Sequence, residues 1–388
     1  MPALAQREQQ VAAFQVMHIL GTAHRLMAAG HDVIHLEVGE PDFPTPQRVV
    51  DAGQAALAAG KTFYTPSTGI PDLQHALAAS YQRRYGIQVA PERFILTPGA
   101  SGALQVVLSL TLDPQQTLLL PEPGYPCNRH IAALLNIHTH CAPLPVEQGF
   151  TLDTPWLSEH WTEETRALLV ASPANPTGKV LRREELQALN LWCMQRDAHL
   201  IVDEIYQGLN YTGERSHSIL EFTDEAWVIN SFSKYYGMTG WRLGWCVVPE
   251  HAIDAANRLC QNLFLAPPTV SQYAALRALQ PDMDEEYATR VAAFAERRTC
   301  LQAGLTELGF TLPVAGQGAF YLYADISHTG LDALTFCERL LAEHHVAVTP
   351  GDDFGGTHPN HYVRFAYTCE PERLKEALAR IAQFVEGL

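Results

Sequence analysis

Ser231-Phe-Ser-Lys-Tyr-Tyr-Gly-Met-Thr-Gly-Trp-Arg-Leu-Gly-Trp245 carries Lys234, one of only four lysines (Lys61, Lys179, Lys234, Lys375) in a chain of 388 residues. A lysine amine becomes a nucleophile when burial or a neighbouring cation strips its proton. The surroundings of Lys234 supply both conditions. The apolar run Trp227-Val-Ile229 leads into it, two tyrosines follow it, and Arg242 stands eight positions on, past two glycines that let the chain fold back. Most lysines in loops are merely solvated, and these neighbours set Lys234 apart.

Working outward, the composition is that of an ordinary globular protein, 47% hydrophobic and long enough for two or three domains. A formal charge of −16 argues against a general nucleic-acid or anionic-membrane surface. Eight scattered cysteines with no Cys-x-x-Cys pair fit a reducing compartment. The opening ten residues lack the apolar centre of a signal peptide, and no run is long enough to span a bilayer. A cytoplasmic protein is expected. The histidines show no metal-ligand spacing, so no metal is expected.

From Phe94 onward, short apolar strands alternate with helical stretches: Phe94–Thr97, Thr117–Leu120, Leu168–Ala171 and His199–Val202. Such alternation predicts a mostly parallel sheet covered by helices, with ligands gathered at the carboxyl ends of the strands. Further strands are expected at Trp227–Asn230 and Leu243–Val248. The last hundred residues read as a smaller α+β part, with helices over 282–308, 331–343 and 371–385 and strands over 320–324, 346–348 and 362–367. The amino-terminal stretch Arg7–Ala29 has helical spacing and is expected to pack on that part. Domain limits of 46–280 for the large unit, and 1–45 with 281–388 for the small one, follow from this reading.

The loops after the strands carry the chemistry. Thr97-Pro-Gly-Ala-Ser-Gly-Ala-Leu104 opens a helix, so its backbone N–H groups and the Ser101 hydroxyl suit an anion such as phosphate. It matches neither the dinucleotide nor the P-loop spacing, which disfavours a nicotinamide enzyme. Pro121-Glu-Pro-Gly-Tyr-Pro126 holds Tyr125 rigidly, as stacking on a flat heteroaromatic ring would require. Prolines likewise stiffen Ser172-Pro-Ala-Asn-Pro-Thr-Gly178 around Asn175. Asp203 ends an apolar strand three residues before Tyr206; a buried carboxylate there needs a partner, and a pyridinium nitrogen would be held protonated by it. Near the amino end, Glu37-Val-Gly-Glu-Pro-Asp-Phe-Pro-Thr-Pro46 is a rigid segment in which Gly39 lets a ligand approach the backbone. Asp72 is placed to cap the helix that runs to Tyr85.

Together these segments resemble the class I and II aminotransferases, pyridoxal-phosphate enzymes of fold type I, from about Gly39 to the carboxyl end. The Ser-x-Ser-Lys-x-x-Gly-x-x-Gly-x-Arg-x-Gly pattern at 231–244 is the most specific match. The resemblance implies that Lys234 holds pyridoxal 5'-phosphate as a Schiff base and shuttles the proton, and that Ser231, Ser233 and Arg242 lie around the phosphate with Gly99, Ala100 and Ser101. It implies that Tyr125 stacks on the ring, Asp203 pairs with the ring nitrogen, and Tyr206 and Asn175 reach the phenolic oxygen. Arg364, in the strand Tyr-Val-Arg-Phe-Ala-Tyr367, would clasp the substrate α-carboxylate in a two-pronged fork beside Gly39 and Asn175. Tyr64, in Tyr-Thr-Pro-Ser-Thr-Gly-Ile-Pro-Asp-Leu73, would reach the phosphate of a neighbouring subunit and make a homodimer with shared sites.

The implied reaction moves an amino group from an L-amino acid to a 2-keto acid by a ping-pong cycle. The same residues would serve a carbon–sulfur β-lyase or a cyclopropane-forming synthase. A non-catalytic cofactor-binding regulator is a third class, although no basic winged helix stands before residue 30. Whether Arg25, Arg129, Arg258 or Arg277 reads a second substrate carboxylate stays open, and Phe14 and Tyr64 keep aromatic donors in play.

Overall fold

The computed structural model describes residues 4–388, so Met1–Ala3 of the opening stretch lie outside it. A 3-10 turn, Gln6–Gln10, precedes helix α1 (Gln15–Ala28) and the short strand β1 (Ile34–His35); α2 (Gln47–Ala58) and α3 (Pro71–Tyr85) follow. The alternating region then runs β2 (Phe94–Thr97), α4 (Gly99–Thr111), β3 (Thr117–Glu122), α5 (Cys127–Leu134), β4 (His138–Pro143), α6 (Thr154–His160) and β5 (Thr165–Ala171). After α7 (Arg183–Met194) come β6 (His199–Asp203), β7 (Trp227–Ser231) and β8 (Gly244–Val247).

These strands form one seven-stranded sheet in the order β2-β8-β7-β6-β5-β3-β4. All neighbours are parallel except β8, which is antiparallel to both β2 and β7. Every residue of β2 and of β7 is buried, as expected of apolar runs covered by helices on both faces. One core cluster joins a sheet face to α3 and α7 through Leu77, Leu96, Val170, Leu186 and Val228. A second packs the other face on α4 through Ile95, Val107, Leu118, Ile201 and Cys246. Because β8 runs against its neighbours, the residues that precede it arrive at the edge where the loops after β2, β3, β5, β6 and β7 emerge. That reversal brings Arg242 to the same edge as Lys234.

The remainder comprises α8 (Ile253–Leu263), α9 (Thr269–Ala278), the long α10 (Asp284–Glu307), β9 (Tyr321–Asp325), α11 (Ala333–His344), β10 (Val346–Ala347), β11 (Thr349–Pro350), β12 (Tyr362–Ala366) and α12 (Pro371–Glu386). Strands β11, β12 and β9 make an antiparallel sheet, and β10 pairs with β1 in parallel. A third core cluster unites Ile19 and Ala23 of α1 with Leu301 of α10, Phe336 of α11, Phe365 of β12 and Ile381 of α12. Among the described residues, no helix is long and apolar enough to cross a membrane.

Four local expectations need correction. Arg7–Ala29 is not one helix: the backbone is extended at Val11 and again at Phe14, and α1 starts afresh because the Asp353 carboxylate accepts the N–H groups of Gln15 and Val16. Asp72 caps nothing, since α3 already begins at Pro71 and the preceding N–H, of Ile70, is taken by the Gln272 side chain. The apolar run 346–348 is not one strand, because Val346–Ala347 pairs with β1 while Thr349–Pro350 turns to pair with β12. Strand β4 was not foreseen, as His-Thr-His-Cys-Ala-Pro lacks an apolar run; it lies at the sheet edge, paired on one side only.

Candidate active site

A cavity of about 330 Å³ opens at the carboxyl edge of the seven-stranded sheet, between it and the β11-β12-β9 sheet. Lys234 stands in its wall, and its Nζ donates to the Gly39 carbonyl at 2.6 Å. Burial lowers the Lys234 pKa to about 8, helped by the Arg364 and Arg242 cations, while Glu40 and Asp203 pull it back up. A free amine is therefore present at neutral pH in a fraction that a solvated lysine never reaches.

Asp203, at the end of β6, faces the same cavity. Its Oδ1 accepts the Ile205 N–H at 3.0 Å. Burial lifts its pKa to about 6, against the pull of that N–H and of Lys234. The carboxylate is thus ionised at pH 7 but under-compensated, a group that would gain from a cation placed against it. Tyr206, also buried, has its hydroxyl 2.8 Å from that of Tyr321, and burial keeps its phenol protonated at any ordinary pH.

Arg364 is buried in β12, the opposite of what an isolated strand arginine in an alternating segment usually does. Its Nη1 donates to Asn175 Oδ1 at 2.9 Å, and Nη2 donates to the Glu37 carbonyl at 2.6 Å and lies 3.2 Å from Thr349 Oγ1. The guanidinium lies over the Tyr321 ring, 4.3 Å from its centroid. Its Nε has no partner in the protein. A fixed, flat cation in the wall of a cavity is suited to a carboxylate.

The anion-binding loop takes shape at the start of α4. Gly99 has a φ of +71°, and a Cβ there would collide with Arg242 Nη2. Only glycine permits this close approach, which sets the guanidinium against the first N–H groups of the helix. Arg242 is held by a 2.9 Å bond from Nη1 to the Thr239 carbonyl. Ala100, Ser101 and Ser233 line the cavity beside it. Hydroxyl donors, a cation and a helix start together fit a phosphate; Asp203 fits a pyridine nitrogen, Tyr125 a flat ring, and the Lys234 amine an aldehyde.

Most of the residues expected from the sequence therefore converge: Gly39, Tyr125, Asn175, Asp203, Tyr206, Lys234, Arg242 and Arg364 share the one cavity wall. Two do not. The Ser231 hydroxyl is turned inward, 2.9 Å from Ser233 Oγ and 3.1 Å from the Leu243 carbonyl, so Ser233 rather than Ser231 presents its side chain. Tyr64 is 81% exposed and does not line the cavity of its own chain. None of the four arginines left open lines it either. Arg277 is tied to Asp282, Arg129 reaches the Asp353 carbonyl from an adjoining cavity, Arg25 bonds Thr22, and Arg258 is exposed.

Sequence reasoning missed Tyr321. Its hydroxyl occupies the space a Cβ on Gly39 would need, and its ring carries Arg364. Strand β9 is buried at four successive positions, so no alternation singles Tyr321 out, and nothing local pairs it with Tyr206, 115 positions away. The wall contributed by Phe14, Val16, Met17 and Leu20 was also missed, apart from Phe14.

An amine, a carboxylate, an anion cradle and a carboxylate fork around one cavity define an α/β enzyme that handles small carboxylate-bearing molecules through an amine-reactive cofactor. The chain belongs to the aminotransferase class I and II family, whose model matches residues 31–381. It is 39% identical to the valine–pyruvate aminotransferase of Mycobacterium tuberculosis, with 97% of each chain covered. It is 37% identical to the (5-formylfuran-3-yl)methyl phosphate transaminase of Methanocaldococcus jannaschii, with 98% of this chain and 99% of that one covered. Among solved structures, an aminotransferase from Mycobacterium tuberculosis superposes with a TM-score of 0.96 at 37% identity over 100% of both chains.

Proposed function

We propose that the enzyme transfers the amino group of an L-amino acid to a 2-keto acid by a ping-pong cycle that uses pyridoxal 5'-phosphate. The observation that carries this reading is a single one: the depressed amine of Lys234 shares a cavity with the under-compensated carboxylate of Asp203 and the buried fork of Arg364. When bound, the cofactor supplies an aldehyde that condenses with amines and a ring that takes up electrons from a bond at the amino-acid α-carbon. The protein does the rest. Lys234 anchors the cofactor and, once displaced, moves the α-proton as a general base. Asp203 keeps the ring nitrogen protonated. Asn175 and Tyr206 hydrogen-bond the phenolic oxygen, and Arg242 with Gly99, Ala100, Ser101 and Ser233 holds the phosphate. Arg364 fixes the α-carboxylate and so orients the bond to be broken. The relatives named above carry aminotransferase or transaminase names, which does not favour a carbon–sulfur lyase, a cyclopropane-forming synthase or a non-catalytic regulator.

The proposal extends to a cytoplasmic homodimer in which Tyr64 completes the site of the second copy. Its support is that Phe63 and Tyr64, neighbours in the loop between α2 and α3, are each 81% exposed. Domain limits of 46–280 for the large unit, and 1–45 with 281–388 for the small one, are part of the same reading.

Borohydride reduction of the protein loaded with pyridoxal phosphate tests it. The label is expected on the peptide that contains Lys234; label on Lys61, Lys179 or Lys375 instead, or none at all on folded protein, would refute the reading.

A second expectation concerns pH. The amine must be neutral to join an aldehyde, so the rate of cofactor loading should rise about tenfold per unit up to about pH 8 and level off above it. A rise that continues unbroken toward 10.5, the value of an unperturbed lysine, would show that burial does not act on Lys234 in this way.

A further inference from the structure

We infer that the amino-acid donor carries an apolar side chain, that the first turns of α1 form its subsite, and that Asp353 is the positioning residue that holds this subsite in place. The inference rests on the transamination reading and deepens it. Phe14, Val16, Met17 and Leu20 line the same cavity as Asp203 and Lys234 and form its apolar wall. The cations in the wall are Lys234, Arg242 and Arg364, and each already has a task. Among the described residues, no fourth cation of this chain lines the cavity to neutralise a second carboxylate. Burying an uncompensated carboxylate against such a wall is costly, whereas each methylene buried there is favourable.

The wall has its place because of a contact that spans almost the whole chain. Asp353, 6% exposed, accepts the Gln15 N–H at 2.8 Å through Oδ1 and the Val16 N–H at 3.0 Å through Oδ2. Both are first-turn groups that have no partner within the helix, and the anion also complements the helix dipole. Four residues before Asp353, Thr349 Oγ1 contacts Arg364, and the Asp353 carbonyl accepts Arg129 Nη2 at 2.8 Å. The short segment 349–353 therefore ties the α-carboxylate anchor to the side-chain wall. Moving one would move the other.

The test uses the holoenzyme and follows the half-reaction with donor alone through the cofactor absorbance. Leucine and methionine are expected to exceed aspartate in kcat/KM by at least about 100-fold. In Asp353→Ala, the leucine-to-alanine ratio of kcat/KM is expected to fall about tenfold, since only the longer side chain reaches the wall. Phe14→Ala, which leaves the Asp353 contact intact, should lower the same ratio and serves if Asp353→Ala does not fold. Aspartate equalling leucine would overturn the substrate class; an unchanged ratio in Asp353→Ala would overturn the positioning role. Reaction with no donor at all would tell against transamination itself, and a thermal-shift arm then still decides. 4-Methylpentanoate should stabilise the holoprotein more than glutarate does, and the reverse order would overturn the inference.

Discussion

Lys234→Ala is expected to abolish transamination, with kcat reduced by at least about 10⁴-fold, at the upper end of what a positioned general base contributes. The loss should be this large because, in the proposed cycle, one amine serves as both anchor and proton carrier. No other lysine can stand in. Lys179 donates to the Gly149 carbonyl and Thr151 Oγ1, Lys61 lies over the Tyr273 ring, and Lys375 is exposed on α12. Rates of keto-acid formation would be compared for the wild type and the variant, with circular dichroism to verify folding. The substitution removes a buried amine whose charged form is disfavoured there, so the fold should not suffer. Retention of even a hundredth of the wild-type rate would mean that another group moves the proton.

Asp203→Asn is expected to lower kcat by roughly 10²–10³-fold while making the cofactor-free protein more stable at pH 7 to 8, as when a site has been built at the expense of stability. The functional loss follows from charge. Asparagine keeps the shape of aspartate and can still accept the Ile205 N–H, yet it cannot hold a proton on a ring nitrogen. The gain in stability follows from linkage. The carboxyl titrates near 6 in the folded chain and near 3.8 when unfolded, so the folded state binds more protons between those values. Stability therefore falls as pH rises through that window, and the penalty is complete above about 6. Thermal unfolding of cofactor-free wild type and variant at pH 4 and pH 7.5 would check this: their difference should be small at the lower pH and favour the variant at the higher. Equal kcat values would remove Asp203 from the mechanism.

Much of this was legible before any coordinates. Strands β2, β6 and β7 are apolar runs closed by turn residues, and their limits came within a residue or two. The loops that follow such strands line the cavity, because a parallel sheet covered on both faces leaves only its edges open. What failed did so for identifiable reasons. A polar edge strand such as β4 carries no periodic signal. The restart of α1 at Gln15 depends on a carboxylate 338 positions away, which no local pattern can announce.

By itself the sequence determined the alternation of apolar strands with helices, the glycines and prolines that stiffen each loop, and the choice of Lys234 as the candidate amine, because these depend on backbone dihedrals and on periodicity within a dozen residues. Only the tertiary structure decided that Arg242 abuts Gly99, that Arg364 reaches Asn175 across 189 positions, that Ser233 rather than Ser231 faces the cavity, and that α1 presents an apolar wall instead of a second cation. Those outcomes follow from the antiparallel course of β8 and from the packing of α1 on the β11-β12-β9 sheet. Contacts between distant segments are set by how whole faces bury one another, and spacing along a chain does not encode that.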